Sequence, residues 1–133
     1  MNALEAARAR TDALFELLDP KALYERPVPE RHRLIFYLGH VEAFDWNLIG
    51  RTLLHPTFYK LFAFGIDPEP GCAPADQPRD WPSEAEVRSY VARMRENLDG
   101  SIGDIDPQLL HVAAEHRLMH AETLAPLRPL SSW

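Results

Sequence analysis

The stretch RHRLIFYLGHVEAFDWNLIGRTLL, residues 31–54, carries apolar side chains on most sides of the helix that its pattern predicts. A helix that is apolar nearly all round is typical of a central position in a helical protein. We expect this second helix to run from about Glu30 to Leu54. The prolines of LYERPVPE, just before it, exclude an earlier start.

Three further helices are predicted around this central one. Residues 2–18 show an amphipathic pattern. A third helix starts at Ser83, because SEAE is a capping box in which serine and glutamate cap each other's backbone. A fourth starts with Asp106 as its cap and Pro107 in the favoured first position, and it runs to about Ala125.

Residues 56–82, between the second and third helices, hold six prolines and two glycines. This composition predicts a long irregular, proline-rich loop, which in a compact domain is usually functional or acts as a cover. No strand alternation is found elsewhere. The predicted fold is therefore all-α, a four-helix bundle forming a single domain over residues 1–133.

Composition excludes several classes of function. The net charge of −6 and the lack of a basic cluster argue against nucleic acid as a partner. No apolar run approaches the roughly 20 residues that span a membrane. Cys72 is the single cysteine, so no intramolecular disulfide is available, and we interpret it as an incidental thiol in a cytoplasmic protein.

The fourth helix contains HVAAEHRLMHAETL, residues 111–124, in which His116 and His120 lie one turn apart. Burying two imidazoles without partners would cost about 1–3 kcal/mol each. A shared metal ion removes that cost, and the spacing His-x-x-x-His brings two imidazoles to one ion. We predict that this pair lies in the middle of the core-facing surface, together with Leu109, Val112, Ala113, Met119 and Thr123.

The second helix adds a third inward-facing imidazole, that of His40. Bundle cores are where metal sites are built from facing helices. His40, His116 and His120 therefore predict a three-histidine metal site, and three protein ligands with open positions are typical of catalytic metals. The alternative for His40 alone is a hydrogen-bonded core histidine.

Other polar and aromatic residues are predicted to lie outside the site. We expect Glu42 and Asp45 to be solvated, with a role behind a metal ligand as the alternative. His32, near the start of the second helix, is also predicted to be solvated. Trp46 and Trp81 are interpreted as packing residues.

The chain resembles the DinB-like helical domain, and most closely the N-terminal part of ergothioneine-synthase-type (EgtB-type) sulfoxide synthases. Four stretches carry this resemblance and cover nearly the whole chain in order. They are YLGHVEAFDWNLI at 37–49, FGIDPEPG at 64–71, DWPSEAEVRSYV at 80–91 and AEHRLMHAETL at 114–124.

The resemblance implies an up-down-down-up four-helix bundle and a non-haem iron centre held by three histidines. The histidine of the LGH motif corresponds to His40, and those of the H-x-x-x-H motif correspond to His116 and His120. Iron(II) is the implied metal, although zinc or nickel would bind the same ligands. No catalytic residue is assigned.

The resemblance also reveals a difference. In the sulfoxide synthases a large formylglycine-generating-enzyme-like domain follows the bundle and supplies much of the substrate pocket and a catalytic tyrosine. Residues 1–133 end at LAPLRPLSSW without such a domain. We therefore expect metal binding, and not turnover, from this chain.

Two alternative functions stay open. The first is a stand-alone metal-dependent thiol S-transferase, in which the metal would activate a small thiol. The second is a non-catalytic helical interaction module. Leu110, Ala114 and Leu118 form a second apolar stripe on the fourth helix, which we expect a second copy of the chain, the missing domain or the proline-rich loop to cover.

Overall fold

The computed structural model describes residues 2–28, 31–49, 56–66 and 76–124. Within these residues all regular secondary structure is helical, so the predicted all-α class is confirmed. None of the helices in them is both long and apolar enough to cross a membrane. The α-helices of the described residues are α1 (Ala3–Glu16), α2 (Leu34–Ile49), α3 (Pro56–Phe64), α4 (Glu84–Asp99) and α5 (Pro107–Leu124). Short 3₁₀ helices occupy Pro20–Tyr24, Pro78–Asp80 and Ile102–Asp104.

The predicted starts of α4 and α5 are confirmed by their caps. The Ser83 hydroxyl accepts a hydrogen bond from the Glu86 amide, and the Glu86 carboxylate accepts one from the Ser83 amide. At α5 the Asp106 carboxylate accepts from the amide of Gln108, at 2.9 Å. Each side chain satisfies a backbone donor that the first turn of a helix leaves free.

The prediction of an irregular loop over residues 56–82 is wrong at its beginning, where α3 lies. Pro56 takes the first position of this helix, where a missing amide hydrogen costs nothing. Gly65 ends it with φ of 76°, and its amide donates to the Leu61 carbonyl at 2.7 Å. Residues 67–75, with Cys72 among them, lie outside the described part of the chain.

Helix α2 starts at Leu34, four residues later than predicted. The Leu34 amide donates to the Glu25 carbonyl at 3.1 Å, and the Arg33 guanidinium donates to the Tyr24 carbonyl at 2.6 Å. These bonds hold the chain before α2 against the preceding 3₁₀ helix, so it does not enter the helix. The predicted end at Leu54 lies outside the described residues.

Asp76 fastens this same region to the chain that leads into α4. Its buried carboxylate pairs with Arg26 and Arg33 and accepts a hydrogen bond from the Trp81 indole at 2.8 Å. We call these four residues the Asp76 cluster. Trp81 is buried as part of it, which agrees with its predicted packing role.

The central position predicted for α2 is confirmed, because its side chains from Leu34 to Leu38 are all buried. Helix α2 packs against α3, α4 and α5, while α5 also packs closely along α1. Helix α3 approaches α2 at Gly39, where an added Cβ would lie only 2.5 Å from the Phe62 ring. Glycine is thus required here for close contact between the two helices.

Candidate metal centre

His40 is oriented by the close contact between α2 and α3. Because Gly39 admits the Phe62 ring, the Phe62 carbonyl comes within 2.8 Å of His40 Nδ1. A carbonyl can only accept, so Nδ1 carries the hydrogen and donates it. The lone pair of His40 is therefore on Nε2, the arrangement that metal-bound histidines commonly show.

His116 and His120 bring two more imidazoles to the same place from α5. Their Nε2 atoms are 3.2 Å apart. One ring nitrogen from each of His40, His116 and His120 lies within 4.8 Å of the other two. The structure thus brings together the three histidines that the sequence predicted as ligands, and we call them the histidine cluster.

His116 and His120 were predicted to lie in the middle of the core-facing surface of α5. They lie on its flank instead. His116 and His120 are half-buried, and their neighbours Val112 and Met119 are 44% and 50% exposed. Helix α5 turns a different face inward because small side chains let it pack closely along α1. That buried face consists of Ala113, Ala114, Arg117, Ala121 and Leu124.

Aromatic rings from α2 form the inner wall of the histidine cluster. Phe44 stacks on His116 with ring centroids 3.6 Å apart and an interplanar angle of 10°. Phe36 stacks on His40 at 4.7 Å. These rings limit the rotation of both imidazoles and shield one side of the cluster from water.

The surroundings keep the imidazoles neutral. Burial, together with the neighbouring imidazoles of His120 and His40, lowers the pKa of His116 to about 3. Burial and His40 lower the pKa of His120 to about 4, and burial also lowers the pKa of His40. Neutral imidazoles offer lone pairs, which is the form that binds a metal ion.

The prediction that Glu42 and Asp45 are solvated is wrong. Both side chains are buried and surround Arg117, which is 0% exposed. Arg117 Nη2 lies 2.6 Å from a carboxylate oxygen of each, and its Nε donates to Asp45 at 2.8 Å. A sequence alone favours a surface position for any carboxylate, because burying a charge without a partner is very costly.

Two more residues extend these ion pairs to α1 and α4. Arg95 of α4 donates to Glu42 at 2.7 Å and holds the Asp12 carboxylate of α1 with two hydrogen bonds. We call Asp12, Glu42, Asp45, Arg95 and Arg117 the charge cluster. One sequence signal could have revealed it, since Arg117 lies at four-residue spacing between Ala113 and Ala121, on the alanine face of α5.

Burial corrects or confirms three other predictions. His32 is not solvated but half-buried, and its ring stacks on Phe36 at a centroid distance of 3.9 Å. Trp46 is buried, as expected of a packing residue. In the predicted apolar stripe of α5, Ala114 is buried and Leu110 half-buried within the chain itself, and Leu118 is 38% exposed.

Comparison with known proteins shows which family the chain belongs to. Residues 3–127 match the family model of the DinB superfamily. Ergothioneine biosynthesis protein 1 of Neurospora crassa is 35% identical over 126 aligned positions, which cover 82% of this chain and 14% of that protein. The protein of the same name from Schizosaccharomyces pombe is 27% identical, over 81% of this chain and 16% of its own length. The resemblance seen in the motifs is thereby confirmed, and the chain belongs to the DinB superfamily.

Proposed function

We propose that this chain is a metal-binding domain in which His40, His116 and His120 hold a divalent ion, with iron(II) as its expected metal. The single observation that carries the proposal is the convergence of three ring nitrogens within 4.8 Å of one another. Two neutral imidazoles whose Nε2 atoms are 3.2 Å apart can share at most one hydrogen bond, whereas a cation would bind the lone pairs of both.

The residues around the cluster suit that role. The Phe62 carbonyl holds His40 in the tautomer that leaves Nε2 free for a ligand. The buried Phe36 ring and half-buried Phe44 ring keep water from the inner side, so the outer, exposed side is where a substrate would enter. When bound, iron(II) would orient a thiol and activate dioxygen at the positions that three protein ligands leave open.

We further propose that the domain works within an ergothioneine-type sulfoxide synthase. The named relatives are ergothioneine biosynthesis proteins, and the chain spans only 14% and 16% of their lengths. Those relatives thus contain far more protein than residues 1–133 provide. The exposed apolar side chains of Val112 and Met119, beside the histidines, support a site that further protein covers.

The bundle topology is part of this proposal. The four longest helices of the described residues are α1, α2, α4 and α5, and the charge cluster takes residues from each of them. Such mutual contact is what an up-down-down-up four-helix bundle requires. An interface through Leu110, Ala114 and Leu118, and a thiol transferase activity, stay predictions.

Metal loading with a matched histidine control tests the site. We would load the protein with iron(II) without oxygen, remove free metal, and measure bound metal in the parent, in His116→Ala/His120→Ala and in His111→Ala. His111 is an exposed histidine of the same helix. We expect about one equivalent in the parent and in His111→Ala, and almost none in the double variant.

Equal metal content in all three folded proteins would contradict the proposed site. If metal binds as expected, thiol-dependent oxygen consumption by the iron-loaded chain tests the chemistry separately. Because this chain matches only 14% and 16% of the relatives' lengths, we expect consumption near background from it alone. Rapid consumption would favour a complete active site within it.

A further inference from the structure

The histidine cluster depends on the alignment of two helices. His40 comes from α2, whereas His116 and His120 come from α5. Metal–imidazole bonds are about 2.0–2.1 Å long and tolerate little error. A slide of α5 by one residue along α2 would displace two ligands by about 1.5 Å relative to the third. Something must therefore fix the register of these helices.

Arg117 makes the polar connection between α2 and α5 in the charge cluster. Its Nε and Nη2 both approach Asp45 Oδ2, at 2.8 and 2.6 Å, and Nη2 also lies 2.6 Å from Glu42. The planar guanidinium fixes direction as well as distance, which a single-point charge does not. Its third nitrogen, Nη1, lies 3.4 Å from the Thr11 hydroxyl of α1.

This connection lies next to the histidine cluster on both helices. Asp45 follows Phe44, and Arg117 follows His116. Two neighbouring residues of α2 thus contact two neighbouring residues of α5, one pair as a ring stack at 3.6 Å and the other as an ion pair. A shift that broke one contact would break the other.

A buried ion pair is weak support for stability, because losing water around both charges offsets much of their attraction. Its best attested use is to select one register among several. Resting on the proposed metal binding, we propose that Arg117, held by Asp45 and Glu42, is a positioning residue that sets α5 against α2 so that His116 and His120 meet His40. It does not itself touch the metal.

Cobalt(II) provides a readout that stability alone would not change, because its visible absorption reports ligand geometry. We would titrate the metal-free protein with cobalt(II) in three folded variants, namely Arg117→Lys, Asp45→Asn and the control Arg8→Lys. Arg8 is similarly buried and pairs with Asp99 at 2.7 Å, between α1 and α4. Through that pair it contacts neither helix that carries the ligands, and lysine keeps the positive charge by which Arg8 lowers the pKa of Asp45.

We expect Arg117→Lys and Asp45→Asn to bind cobalt(II) about 10–100-fold more weakly than the parent and to shift its absorption bands. Arg8→Lys should retain the affinity and the bands, even where its unfolding midpoint falls by a similar amount. If Arg117→Lys does not fold, Asp45→Asn still carries the test, because it keeps the side-chain shape and leaves Arg117 paired with Glu42.

Parent-like affinity and bands in the folded variants would overturn the inference while leaving the metal site intact. An equal loss in Arg8→Lys would also overturn it, since general loosening of the fold would then explain the effect. A parent that binds no cobalt(II) would instead remove the proposed function, and the positioning role with it.

Discussion

The charge cluster and the histidine cluster both take residues from α2 and α5, yet they are opposite in character. Helix α2 provides Glu42 and Asp45 to one and His40 to the other. Helix α5 provides Arg117 to one and the adjacent His116 to the other. In the charge cluster each ionised group faces an opposite charge at 2.6–2.8 Å.

The histidine cluster has no such internal balance. The Nε2 atoms of His116 and His120 face each other, so the pair can share at most one hydrogen bond, donated by whichever ring carries its proton on Nε2. His116 Nδ1 is buried and has no hydrogen-bond partner among the described residues. Ion pairs hold the charge cluster together, although Asp45 Oδ1 is likewise buried with no hydrogen-bond partner among the described residues. The histidine cluster would instead be completed by the cation that we propose it binds.

The largest expected effect comes from breaking the charge cluster on one side. Arg117→Met would leave Glu42 and Asp45 buried without their shared partner. Removing one partner of a buried pair typically costs about 3–5 kcal/mol. Chemical denaturation should show a loss of that order in the unfolding free energy.

Arg88→Met serves as the comparison for Arg117→Met. Arg88 pairs with Glu84 on the exposed side of α4, at 3.5 Å. Exposed pairs one turn apart contribute only about 0.3–0.5 kcal/mol. Similar losses in the two variants would show that burial of the Arg117 pair has little energetic consequence, and the contrast between the clusters would fail.

The Asp76 cluster should also stabilise the fold through its buried ion pairs, and this stabilisation should depend on pH. Burial alone raises the pKa of Asp76, but hydrogen bonds from Arg26, Trp81 and Arg33 more than offset this and lower it below 3.8. As the pH falls, Asp76 therefore binds a proton in the unfolded chain before it does so in the folded one. The stabilisation is present above about pH 4 and is lost as the pH falls through the folded pKa.

Asp76→Asn should accordingly lower the unfolding free energy at pH 7 by about 1.5–3 kcal/mol. The difference in unfolding free energy between Asp76→Asn and the parent should become smaller as the pH falls from 5 to 3. Asp104→Asn, at an exposed carboxylate, provides the control and should change little. A gap that stays constant with pH would argue against a charged Asp76 as the source of the stability.

The smallest expected effect is in the histidine cluster without metal. His116→Leu/His120→Leu replaces both imidazoles by apolar groups of similar size. Replacing both partners in this way is often neutral or slightly stabilising, so we expect a gain of about 0–1 kcal/mol in the metal-free protein. A loss of several kcal/mol on denaturation would mean that the imidazoles are structural.

The sequence was sufficient for those features that depend on local chemistry. Capping side chains predicted the starts of α4 and α5, and the H-x-x-x-H spacing with His40 predicted which imidazoles meet. The caps and the H-x-x-x-H spacing depend on residues only a few positions apart, on one helix. His40 is distant in sequence and was predicted because it faces inward on the second helix and matches the LGH motif of the resemblance.

What the sequence did not predict depends on contacts between distant residues. The burial of Asp45 requires Arg117, 72 positions away. The late start of α2 depends on hydrogen bonds to the preceding 3₁₀ helix. The flank position of His116 follows from which face of α5 packs on α1, and neighbouring apolar and alanine faces made that choice ambiguous from periodicity alone.

The adjacency of His116 and Arg117 also restricts how the gene can change in length. One residue inserted between Pro107 and His116 would turn the rest of α5 by about 100° relative to its start, if that start stayed in place. The ligands and the buried arginine would then leave their positions together. Relatives that keep both features should therefore vary in length in the connections between helices, and the stretch from Pro107 to His120 should keep a constant number of residues.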